Sequence, residues 1–70
     1  MEPQLERLFA AVLSGLGDEA EPARACVAEG EFALACEVLM DGMQEGRIRL
    51  DADAKVALSA ARALMQARGA

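Results

Sequence analysis

Residues 30–51 read GEFALACEVLMDGMQEGRIRLD, and this stretch decides the fold. Phe32, Ala35, Cys36, Leu39 and Met43 recur at the three- and four-residue spacing of one helical face, with Met40 at its edge. The spacing predicts a helix over about 31–45. Gly30 and Gly46 bracket it, and glycine readily enters the left-handed backbone region in which helices commonly end. Arg47-Ile48-Arg49-Leu50 then alternates polar and apolar, the period of an extended segment with Ile48 and Leu50 turned to the core. One extended segment with nothing to pair with predicts a connector, not a sheet. Asp51 follows as a helix N-cap.

The chain on either side fits the same plan. A last helix over about 52–68 carries Ala54, Ala57, Leu58, Ala61, Leu64 and Met65 on its inner face, with Gly69 beyond it. Upstream, Asp18 opens a shorter helix over about 18–29. Asp18 and Glu21 have the spacing of a capping box, and Pro22 is tolerated only in a first turn. Its apolar face, Ala20, Ala23, Cys26 and Val27, is weak. A first helix over about 3–15 buries Leu5, Leu8, Phe9, Val12, Leu13 and Leu16, and Gly15 and Gly17 end it. The expectation is an all-α, compact, single-domain four-helix fold spanning residues 1–70, with a short extended connector before the last helix.

Seventy residues bury only about 60% of the unfolded chain's surface. Of 38 apolar residues 16 are alanine, leaving 22 larger ones for a core. A core that thin needs good helix packing, a partner or a second copy.

Composition excludes most chemistry. There is no histidine, tyrosine or tryptophan, and Ser14 and Ser59 are the only serines, so a hydroxyl nucleophile lacks a base. Asp51 and Asp53 are accounted for by helix capping. Gly15-Leu16-Gly17 is a turn between helices, not a phosphate-binding loop. So short a chain is also expected to lack room for a substrate cleft of about 300 Å³ beside its core. Two cysteines without histidine cannot complete a four-ligand zinc site, and Cys26 and Cys36 read as small buried apolar residues rather than a disulfide. Neither an enzyme, a cofactor nor a metal is expected. No basic n-region or long apolar run marks a signal peptide or membrane span, so a cytoplasmic location is expected.

The net charge is −5. Residues 1–46 hold ten acids against Arg7 and Arg24, whereas residues 47–70 hold five bases against Asp51 and Asp53. This acidic balance argues against nucleic acid or an anionic membrane as partner and favours a basic protein. A helix-turn-helix reading fails on the same ground: the would-be recognition helix over 31–45 has four acids and no Lys or Arg.

Within that helix Glu37, Asp41 and Glu45 stack at intervals of four, with no base at the compensating positions. Each like-charge pair costs roughly 0.2–0.5 kcal/mol. Asp41 and Glu45 also sit where the helix dipole disfavours anions by roughly 0.3–1 kcal/mol each. Leu34 and Val38 flank the stripe on the side away from Phe32 and Leu39. An acidic ridge bordered by aliphatic side chains suits an interface with a basic target. The competing expectation is that Leu34 and Val38 pack under a neighbouring helix while Arg47, Arg49 or Lys55 folds back onto the acids. Met40 and Met43 read as core.

The segment Glu29-Gly30-Glu31-Phe32-Ala33-Leu34-Ala35-Cys36-Glu37-Val38-Leu39, followed by Glu45, Ile48, Leu50, Asp51 and Leu64-Met65, resembles the MafI-type immunity proteins of bacterial polymorphic toxin systems. The resemblance covers about residues 25–69, and the first helix agrees only in character. Cys36 replaces an aliphatic residue, Lys55-Val56 replaces an aromatic, and Arg68 intervenes before Gly69. What it implies is a small helical inhibitor that binds a cognate toxin made by the same cell. Many such toxins are nucleases, whose substrate grooves are basic. On this reading Glu31, Leu34, Glu37, Val38, Asp41 and Glu45 contact the toxin. The alternatives are a homodimer formed through Leu34 and Val38, or an adaptor for some basic enzyme.

Overall fold

In the computed structural model, which describes residues 3–69 and the side chains of residues 3–67, four α-helices account for most of the chain. They are α1 (Pro3–Leu13), α2 (Glu21–Ala28), α3 (Phe32–Gln44) and α4 (Ala52–Gly69), with a 3-10 turn at Asp18–Ala20 leading into α2. No strand occurs among the described residues. The domain is an all-α four-helix fold measuring 30 × 23 × 19 Å.

The predicted helices are all present, with boundaries corrected by local chemistry. The expected helix over 18–29 splits because Pro22 has no N–H to donate to the Asp18 carbonyl and its ring would collide with that carbonyl. The chain instead turns once in 3-10 geometry, Ala20 N–H donating to the Gly17 carbonyl at 3.1 Å, and becomes α-helical at Glu21. The capping box predicted for Asp18 and Glu21 does not form: neither the 3-10 turn nor α2 has a side-chain cap. Glu19 turns to this backbone instead. Its own N–H and then that of Gly17 hold its carboxyl below the usual range, with a smaller pull from Arg24. Helix α1 stops at Leu13 rather than near Gly15, and α3 spans 32–44 rather than 31–45.

Two glycines end helices as expected. Gly30 has φ +77° and Gly46 φ +79°. After α2, Glu31 N–H reaches the Cys26 carbonyl at 2.8 Å and Gly30 N–H the Val27 carbonyl at 3.0 Å. After α3, Arg47 N–H bonds the Gly42 carbonyl at 2.8 Å and Gly46 N–H that of Met43 at 3.2 Å. Both are Schellman motifs, which satisfy carbonyls a helix end leaves without partners. Helix α4 starts on its predicted cap: Asp51 Oδ1 accepts from Ala54 N–H at 2.8 Å.

A third glycine does a different job. A Cβ on Gly42 would stand 2.5 Å from Ile48 Cδ1 and 2.8 Å from Cγ1. The chain reverses after Gly46 and lays Ile48 directly on α3, an approach only a residue without a side chain permits. Ile48 and Leu50 are buried, while Arg47 and Arg49, which alternate with them, face solvent. The connector is thus apolar-in and polar-out without pairing as a strand.

Helix α1 packs chiefly on α4, and α2 on α3. Phe9 of α1 and Phe32 of α3 stack with ring centroids 5.5 Å apart and tie the two pairs together. Phe9, Leu39 and Val12 are the largest fully buried side chains, and Ala20, Ala23, Ala35 and Ala61 are completely buried between them. Arg24 closes the α1–α2 corner. Its guanidinium donates to the carbonyls of Leu13 at 3.1 Å and Gly17 at 2.8 Å, and also to that of Leu16. These carbonyls lie at and just past the end of α1, where a cation is favoured by the helix dipole. No described helix is long and apolar enough to cross a membrane.

Candidate interaction surface

Helix α3 buries Ala35, Cys36, Leu39 and Gly42. At about 100° per residue this points Glu37 and Asp41 almost straight away from the core. Both are exposed, as are Glu31 before the helix and Glu45 at its C-cap. Leu34 lies within the same outward sector and is 48% exposed. Glu37, Asp41 and Leu34 therefore share one solvent-facing surface, and Glu31 and Glu45 are exposed at the two ends of the helix. Val38 differs: it is half-buried and packs against the core. The expected pairing of Leu34 with Val38 as a shared aliphatic border holds for Leu34 only.

One predicted base does fold back. Arg47 pairs with Glu45, Nε donating to Oε1 at 2.8 Å and the terminal nitrogen lying 2.7 Å from the same oxygen. Both side chains are more than half exposed, so the pair is worth about 0–1 kcal/mol. Glu37 and Asp41 form no ion pair among the described residues, and Arg49 and Lys55 do not reach them. The acids do not converge either: no group of three or more Cys, Asp or Glu side chains among the described residues is placed to share a metal ion. The stripe presents negative charge along a line, an arrangement suited to a complementary row of cations.

Two expectations about this region are corrected. Met40 is not core but 42% exposed, because its position leads it over the edge of α3 toward α4. The chain also has more concavity than its length predicts. α3 and α4 touch sparsely, and an open groove of about 480 Å³ runs between them over Cys36, Met40 and Met65. Glu37 stands on its α3 wall and Arg62 on its α4 wall. A second depression of about 380 Å³ lies between α1 and α2, near Arg24 and Val27. The space lies where packing is sparse: α1 packs on α4 and α2 on α3, while the α3–α4 side is left open. Arg62 and the groove were missed in the sequence. The available signal was Met40 lying off the centre of the buried stripe.

Both cysteines are free, Cys36 buried at the groove floor and Cys26 half-buried. Burial pushes the Cys36 thiol above its ordinary value, partly opposed by the Arg62 charge. A raised thiol pKa disfavours the thiolate that nucleophilic chemistry requires.

Compared with protein-family models, curated proteins and solved structures, the chain has no significant match in any of the three. Fold and surface define its class: a small all-α four-helix domain with an acidic outer helix and an apolar groove beside it.

Proposed function

We propose that the protein is a cytoplasmic immunity protein, of the MafI type its sequence resembles, and that it neutralises a basic toxin domain by binding it across the outer face of α3. The observation that carries this reading is the exposure of Glu37 and Asp41, without counter-ions among the described residues, on a helix that has no basic residue of its own. Those charges oppose each other and Asp41 also opposes the helix dipole, so they weaken the fold that displays them. A charged surface that costs stability and has no partner within the described chain fits a role in binding. Glu37 and Asp41 form the centre of the contact, with Glu31 and Glu45 at its ends. Leu34 supplies apolar area between the charges, and Val38 supports the surface from beneath. On this reading the protein is an inhibitor and not an enzyme, and it needs no cofactor. A nuclease with a basic groove is the target class that best complements the stripe.

The test is affinity capture from source cells with two baits, the wild-type chain and the Glu37→Gln/Asp41→Asn/Glu45→Gln variant. The expected result is a basic domain retained by the wild type and lost by the variant. Removing a central charge is expected to weaken binding by about 2 kcal/mol, some thirtyfold. Equal retention by both baits would leave the ridge as solvated surface and refute the assignment.

A further inference from the structure

We propose that the groove between α3 and α4 is the seat of a second copy of this chain, giving a two-fold dimer in which Glu37 of each copy meets Arg62 of the other. Helices α1 and α4, and α2 and α3, pack extensively, whereas α3 and α4 touch sparsely and leave apolar surface in the gap. Met40 is 42% exposed there, Met65 is half-buried, and the buried Cys36 forms the floor. Methionine is the side chain best able to adapt to a partner's contour.

Charge selects the occupant and its orientation. Glu37 and Arg62 stand on opposite walls of one groove, yet no ion pair joins them among the described residues. A two-fold axis running along the groove places α3 of one copy over α4 of the other. Each Glu37 then faces the other copy's Arg62, twice by symmetry, while the methionines interdigitate between them. An axis across the groove would instead lay α3 on α3 and set the acidic ridge against itself. The surface is self-complementary in the first arrangement and self-repelling in the second. A thin core gives such a chain reason to bury apolar surface against a copy of itself. The two readings share Glu37, so a second copy and a toxin would compete for that residue, whereas Leu34, Asp41 and Glu45 do not line the groove.

Sedimentation velocity of the purified full chain, over about 10–500 μM, tests this directly. The expected species rises with concentration from the 7.4 kDa monomer toward twice that mass. Met40→Glu is expected to remain monomeric over the same range. Glu37→Arg or Arg62→Glu alone should each weaken association about tenfold or more, and the two combined should restore it to within a few-fold of wild type. All three positions are exposed, and circular dichroism confirms that each variant keeps its helices. Should Met40→Glu unfold, the charge exchange still decides. A wild-type chain that stays monomeric throughout, or a dimer indifferent to both single charge reversals, would overturn the proposal. Asp41→Asn leaves this dimer unchanged while weakening toxin capture, so the two proposals fail separately.

Discussion

Gly42 and Ile48 occupy one another's space. Adding a methyl group at Gly42 places it 2.5 Å from Ile48 Cδ1, and Ile48 is too deeply buried to swing away. Gly42→Ala should gain about 1 kcal/mol of helix propensity and lose more to overpacking. The expected net change is a destabilisation of about 1–2 kcal/mol in urea denaturation. Ile48→Val removes the nearest clashing atom, so the double variant should be more stable than adding the two single effects predicts. Arg24 makes a second residue-scale prediction. Its guanidinium answers three carbonyls at the end of α1 and in the following turn, so Arg24→Ala should cost about 1.5–3 kcal/mol. Arg24→Lys should recover only part of this, since an ammonium lacks the planar fork that spans several acceptors. A loss below about 0.5 kcal/mol in the alanine variant would show that water replaces the side chain without penalty. Neither residue was legible beforehand. Gly42 looks like any glycine tolerated within a helix, and the acceptors of Arg24 lie seven to eleven residues upstream across a turn.

At the scale of elements, periodicity and punctuation carried the reading. Helix spacing located the stripes of α1, α3 and α4, glycine marked the ends of α2 and α3, and Asp51 capped α4. Legibility failed where two local rules compete. Asp18 and Glu21 have capping-box spacing, but Pro22 removes the donor that a helix beginning at Asp18 would need, and the backbone takes a 3-10 turn instead. For the candidate surface, the exposure of Glu37, Asp41 and Leu34 followed from the helical wheel. The burial of Val38 and the exposure of Met40 did not, because they depend on which neighbour flanks each side of α3. Helix α3 itself gives the next prediction. No basic residue occupies its last turn, so Asp41 opposes the dipole and lies four residues from Glu37. Glu37→Gln with Asp41→Asn should stabilise the protein by about 0.5–1 kcal/mol, raising Tm by several degrees in a domain of this size. On the proposed reading the same variant should bind a basic toxin domain less well. Unchanged or lowered stability would mean that the two carboxylates do not strain the helix.

For the whole molecule, the charge is divided: an acidic segment through Glu45, then a basic connector and last helix. The fold brings the two signs to one groove, with the acidic α3 on one wall and Arg62 of α4 on the other. Such a field speeds approach of a basic partner and is screened by salt over roughly 8–10 Å at ordinary ionic strength. The opening between α3 and α4 belongs to this scale, and in a reading made one helix at a time its one trace is Met40 at the edge of the buried stripe. The measurement that bears most directly on the central claim is protection of growth. The basic domain recovered by affinity capture is induced in cells that co-express either the wild-type protein or the Glu37→Gln/Asp41→Asn/Glu45→Gln variant at equal level. Rescue by the wild type and its loss in the variant is the predicted result. Rescue by neither, or equal rescue by both, would contradict an inhibitor that works through the acidic face of α3.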